Sequence, residues 1–164
     1  MNKKRINPGP GQESVWDYPR PPKLEKFSGH IRVMIGDDIL ADTHGAYRVL
    51  ETSHPPVYYL PPTDLNMNFL VANPSSSYCE FKGMAAYYDL YWNGQMIPKV
   101  GWYYPSPSAS FTPIKDFVAL YAHKVTACFV NDEQVQAQEG DFYGGWITSR
   151  IVGPFKGAAG TWGW

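Results

Sequence analysis

The sequence predicts an all-β domain, and three observations carry that prediction. Apolar residues alternate with polar ones in short runs, Gly and Pro together make 30 of 164 residues, and 16% of the chain is aromatic. Gly plus Pro exceeds the ~12% background, and the 18% of charged residues falls below the usual ~25%. This mixture excludes a coiled coil, a helical bundle and a charge-rich disordered chain. The length suits one domain, since domains cluster near ~100–150 residues.

Residues 1–27 are rich in Pro and charge, with Pro19-Arg20-Pro21-Pro22 following Trp16-Asp17-Tyr18. Proline lacks a backbone donor and fixes φ, so this stretch reads as an extended arm, packed on the body through Trp16 and Tyr18. The body spans residues 28–139. Ile31, Val33 and Ile35 alternate with Arg32 and Met34, the pattern of a strand with one buried face. Gly36-Asp37-Asp38 turns the chain into a strand at Ile39–Asp42, and Tyr47–Thr52 alternates again. Pro55-Pro56 then separates that strand from Val57–Leu60. Pro61-Pro62-Thr63-Asp64 opens one helical turn, and Asn73–Ser77 reads as a loop by composition. Ala85–Trp92 and Gln95–Tyr103 flank Asn93-Gly94, a pair suited to the positive φ angles of a type I′ hairpin. Thr112 before Pro113 reads as the cap and first residue of a helical turn ending at Asp116. Val118–Tyr121 and Thr126–Val130 are further strands, and Asn131-Asp132-Glu133 is a turn. Residues 140–164 hold seven Gly and three Trp, and read as an ordered tail wrapping the same domain.

Charge and cysteine usage narrow the function classes. Lys plus Arg number 14 against 15 Asp plus Glu, so no net field recruits nucleic acid or an anionic membrane, and neither is an expected partner. No run of about 18 apolar residues marks a membrane span. The basic start Met1-Asn2-Lys3-Lys4-Arg5 has no apolar run after it, so it does not read as an export signal. Cys79 and Cys128 form neither a disulfide framework nor a metal motif, which fits two reduced thiols in a cytoplasmic protein. His30, His44, His54 and His123 are scattered, so no metal and no cofactor is expected. Gly153–Thr161 has the ingredients of a phosphate loop without its order. There is no nucleophile elbow, and the sparse carboxylates give no legible acid–base pair.

The most reactive-looking stretch is Tyr78-Cys79-Glu80-Phe81-Lys82-Gly83, where an ammonium near a thiol would favour the thiolate. On a regular strand positions i and i+3 face opposite sides, so the plainer reading makes Cys79 a core residue and Lys82 a solvated charge. The same limit holds for Arg48 and Glu51, which need a bulge to share a pocket. Tyr87, Tyr88 and the run Trp102-Tyr103-Tyr104 offer stacking surfaces, or simply fill a β core. Phe81-Lys82-Gly83 recurs as Phe155-Lys156-Gly157. The flanks differ, so this reads as coincidence rather than a repeat, with both lysines kept as candidates for ligand contact.

Taken together, a set of motifs resembles the DUF427 family, a domain of unknown function. They are Ser14–Pro22, Arg48–Pro56, Tyr58–Asp64, Cys79–Gly83, Ala86–Tyr88 and Gly101–Tyr104, with Phe142–Thr148 and Gly153–Gly157 in the tail. The resemblance implies a β-tent-like domain: two small antiparallel sheets packed at an angle, with short helical turns and extended N- and C-terminal segments. Relatives in the wider fold group hold zinc with Cys-x-x-Cys pairs, which this sequence lacks. The family has also carried a nucleotidyltransferase label, without the paired metal-binding carboxylates such a reaction uses being visible here.

The family motifs converge on Arg48, Glu51, Cys79, Lys82, Tyr88 and Trp102, expected in one cleft between the sheets. Arg48 and Lys82 would hold negative charge while Tyr88 and Trp102 stack on a ring. Three functions follow in order: a binding module for an anionic or planar small molecule, an enzyme of nucleotidyl-transfer or Cys79-dependent type, and a protein-interaction domain docking a partner or a second copy as a homodimer.

Overall fold

The computed structural model describes residues 4–140 and 142–164; the basic start read at Met1, Asn2 and Lys3 lies outside them. The chain is all-β. Its strands, in order, are β1 (Glu13–Ser14), β2 (Lys23–Phe27), β3 (Ile31–Ile35), β4 (Asp38–Thr43), β5 (Ala46–Leu50), β6 (Val57–Tyr59), β7 (Leu70–Cys79) and β8 (Gly83–Trp92). They continue as β9 (Gln95–Tyr103), β10 (Ala119–Leu120), β11 (Ala127–Val130), β12 (Glu133–Gln134), β13 (Gln136–Ala137), β14 (Trp146–Ile147) and β15 (Ile151–Val152). The helical segments among the described residues are short 3-10 turns, and none is long and apolar enough to cross a membrane.

The main sheets are two four-stranded antiparallel sheets, ordered β12-β11-β3-β4 and β10-β9-β8-β7, and a three-stranded sheet ordered β2-β5-β6. In β3, Ile31, Val33 and Ile35 are buried while Arg32 and Met34 are half-exposed, as the period-two pattern requires. The arm becomes a strand at Lys23, directly after its last proline, and pairs with β5 as a sheet edge. The β8–β9 hairpin turns on Asn93 (φ 52°) and Gly94 (φ 74°), the left-handed geometry of a type I′ turn.

Two local expectations are corrected. Asn73–Ser77 is not a loop but the middle of β7, where the ladder to β8 outweighs polar composition. The register shifts between Asn73 and Ser76, so Pro74 sits in a bulge where its missing donor is not needed. The helical turn near Pro113 runs over Ala109–Ile114 and follows Ser108, so Thr112 is inside it rather than capping it. The Thr112 hydroxyl instead donates back to the Ala109 carbonyl at 3.0 Å.

Three apolar clusters hold the sheets together. The largest packs Ile31, Val33, Leu40, Leu60, Leu90 and Trp146 between sheets; Trp146 stacks on Tyr58 at 5.2 Å and donates its indole N–H to the Leu120 carbonyl at 3.0 Å. A second, aromatic cluster gathers Tyr59, Tyr87, Trp102, Tyr104, Phe111 and Tyr121. The third fixes the arm: Val15, Trp16 and Tyr18 pack on Leu50 and Ile151. Beside it, β1 pairs in parallel with β15, joining residues 13–14 to 151–152.

Candidate functional site

The aromatic cluster forms the floor of a cavity of about 270 Å³ between the β2-β5-β6 and β10-β9-β8-β7 sheets. Strand alternation builds that floor. Val49 on β5, Tyr59 on β6, Ala85 and Tyr87 on β8, and Trp102 on β9 all point inward. The phenols are tied down: Trp102 Nε1 donates to the Tyr59 hydroxyl at 3.3 Å, and Ser77 Oγ and the Tyr87 hydroxyl share a bond of 2.8 Å. Burial raises the pKa of Tyr59 and Tyr104 and pushes Tyr121 up to about 12, so these hydroxyls stay protonated at neutral pH.

One wall is organised by Gln138, which is 2% exposed. Its Oε1 accepts from the Gly145 amide at 3.0 Å, which leaves Nε2 as the donor end. Nε2 donates to the Lys156 carbonyl at 2.7 Å and faces His54 Nδ1 at 3.3 Å. His54 Nδ1 is therefore the acceptor, and the imidazole proton sits on Nε2. Desolvation, with the positive charges of Lys156, Arg20 and Lys82 nearby, lowers the His54 pKa to about 4, so the ring is neutral at pH 7. Its Nε2 lies 3.8 Å from Glu51 Oε2, beyond hydrogen-bond reach.

Two ammonium groups also line the cavity. Lys82 is 9% exposed and lies over the Phe111 ring at 5.7 Å. No hydrogen bond or ion pair reaches its Nζ among the described residues. Lys156 lies over Tyr143 at 5.5 Å and donates to the Trp164 carbonyl at 3.1 Å. These are the lysines of the two Phe-Lys-Gly triplets, and each is followed by a left-handed glycine, Gly83 (φ 109°) and Gly157 (φ 131°). The shared feature is local: a glycine that only a residue without Cβ can easily supply turns the chain just after the lysine.

Four of the six residues expected at the site line this cavity: Glu51, Cys79, Lys82 and Trp102. Cys79 and Lys82 share it because β7 ends at Cys79 and the turn Glu80-Phe81-Lys82 folds back, so strand alternation does not apply across it. Lys82 is correspondingly a largely enclosed residue and not an outward-facing surface lysine. Arg48 is not at the site. It points to the opposite face of β5 from Val49, where its Nε bonds Glu25 at 2.8 Å and its terminal nitrogens grip Glu13 at 2.9 and 3.0 Å. Tyr88 is also displaced by one position. Tyr87 takes the cavity face, and Tyr88 stacks on Tyr103 at 4.5 Å against the largest core cluster. His54, Gln138, Tyr59 and Tyr143 were not singled out for the site, and only tertiary contacts reveal them.

A family model described as a domain of unknown function, DUF427, matches residues 23–131, about two thirds of the chain. The chain belongs to the DUF427 family. Within this DUF427 chain the floor and Glu51, His54, Cys79 and Lys82 fall inside the matched span, while Gln138, Tyr143, Gly144 and Lys156 follow it. The family model carries the label NTP_transf_9 and no described activity. No curated protein shows a significant match to the chain. Among the described residues, no three His, Cys, Asp or Glu side chains gather in a way that could hold a metal ion.

Proposed function

We propose that this DUF427 protein is a small-molecule binding domain whose cavity takes a ligand with an anionic group and a planar ring. Lys82 carries the reading. Its side chain is largely enclosed, its Nζ has no acceptor among the described residues, and the anionic group of a ligand would supply one. Lys156 adds a second positive charge in the same cavity, and the neutral imidazole of His54 offers an N–H donor. The Tyr59, Trp102 and Tyr104 rings supply the flat apolar surface that a ring would occupy. The volume lies just below the usual range of ligand sites, roughly 300–1,000 Å³, which suits a small ligand.

A thermal-shift panel of aromatic carboxylates and monophosphates tests this. A ligand at 100 times its Kd stabilises by about 2.7 kcal/mol. Lys82→Met is expected to fold, to be at least as stable as the parent, and to lose the shift. Silence across the panel overturns the reading.

Cys79 in the same cavity favours a second reading, thiol-dependent chemistry. Its partner thiol is a natural control, because Cys128 is 1% exposed and burial raises its pKa. The second reading expects fast alkylation confined to Cys79 at neutral pH, slowed by any ligand found in the panel. A Cys79 as slow as Cys128 removes it.

A further inference from the structure

Glu51 and Lys82 present an unusual combination. Both line one cavity, they carry opposite charges, and no ion pair joins them. Lys82 Nζ has no hydrogen bond among the described residues. The Glu51 carboxylate has none either, being held only at ion-pair distance by Arg20 at 3.5 Å and His54 at 3.8 Å. The Glu51 side chain is three-quarters buried. The backbone keeps the two apart: Glu51 follows β5 in one sheet, and Lys82 sits in the β7–β8 turn of another. The cavity thus offers an unmet donor and an unmet acceptor at separate places. A carboxylate accepts only, so it repels an anion and waits for a hydroxyl or an amine.

We propose that the ligand of this site carries a hydrogen-bond donor, a hydroxyl or an amine, beside its anionic group, and that Glu51 reads that donor while Lys82 and Lys156 hold the anion. This rests on the binding reading above and narrows it. A ligand bearing the anion alone leaves the Glu51 carboxylate without a hydrogen-bond donor in a partly enclosed site, a situation in which polar sites discriminate strongly. Arg20 is exposed at the rim and screens Glu51 without taking its place.

Four compounds with one ring separate the cases: the three-carbon acids 3-phenylpropanoate (anion only), 3-phenyllactate (anion and hydroxyl) and phenylalanine (anion and ammonium), and 2-phenylethylamine, which is phenylalanine without its carboxylate (ammonium only). Calorimetric titration of the full chain is expected to give 3-phenyllactate or phenylalanine an affinity at least about tenfold above 3-phenylpropanoate, since each tenfold step needs only 1.4 kcal/mol. Glu51→Ala is expected to abolish that advantage, with 3-phenylpropanoate binding more tightly once the carboxylate that repels its anion is gone. Glu51→Gln, which keeps an acceptor oxygen but not the charge, separates the donors: phenylalanine binding falls and 3-phenyllactate binding is largely kept. Equal binding of 3-phenylpropanoate and the two donor-bearing acids overturns the inference and leaves the anion reading standing. So does silence from all four beside a positive result elsewhere in the panel. Tightest binding by 2-phenylethylamine overturns both.

Discussion

His54 shows how one side chain's surroundings set a property of the protein. A free imidazole takes a proton near pH 6.5, whereas this one resists until about pH 4, because it is desolvated and faces Lys156, Arg20 and Lys82. Between those values the unfolded chain binds a proton that the folded chain refuses. Stability therefore falls as pH drops from about 6.5 to 4, with about 2–4 kcal/mol at stake. Urea unfolding at pH 7 and pH 4.5 measures this, and His54→Gln should flatten the difference. A wild-type profile that is flat over that window would contradict the neutral, buried ring. The sequence displayed His54 between Ser53 and two prolines, but nothing in that spacing revealed Gln138, 84 positions away, as its partner.

At the scale of the element, the faces of the strands were legible to within one residue. Period-two alternation in β5, β8 and β9 was visible, yet which of two neighbours faces the cavity depends on the partner strand and its bulges. Arg48 and Tyr88, expected in the cleft from the family motifs, each stand one position from the residue that faces the cavity, Val49 and Tyr87. Arg48 instead ties three strands through Glu13 on β1 and Glu25 on β2. Arg48→Met is expected to lower unfolding free energy by about 2–3 kcal/mol, as lost charge-assisted hydrogen bonds do, with ligand affinity unchanged. The same unfolding series, run beside the ligand titration, checks both halves. Turn positions were legible where glycine geometry is strict. Gly157 has φ 131°, and a Cβ there would collide with the Glu139 carbonyl oxygen. Gly94 has φ 74° with nothing within 4 Å. Gly157→Ala should thus displace Lys156 and weaken ligand binding by tenfold or more. Gly94→Ala should cost about 1 kcal/mol in stability and leave binding alone.

Across the whole molecule, the all-β class was readable from composition and alternation, whereas the cavity was not, because it is assembled from segments far apart in the chain. The family match ends at residue 131, but the cavity wall and part of the core come after it. Trp146 is buried in the largest cluster, and Gln138, Gly144 and Lys156 close the site. A chain cut after residue 131 is expected to lose its near-ultraviolet circular dichroism and all ligand binding. A cut chain that keeps a sharp thermal transition would show that residues 132–164 are dispensable for folding.

The parallel pairing of β1 with β15 bears on synthesis as well as on architecture. Residues 13–14 emerge from the ribosome early and must wait for residues 151–152 before their ladder can close. Over that interval Trp16, Tyr18 and Leu50 lack Ile151, and His54 lacks Gln138. Closing so long a loop is entropically slow relative to local hairpins, so the β8–β9 hairpin should form long before the cavity does. Until residues 138–156 are made, the aromatic floor lacks the wall that Gln138, Tyr143, Gly144 and Lys156 supply, so the cavity is completed by segments made long after its floor.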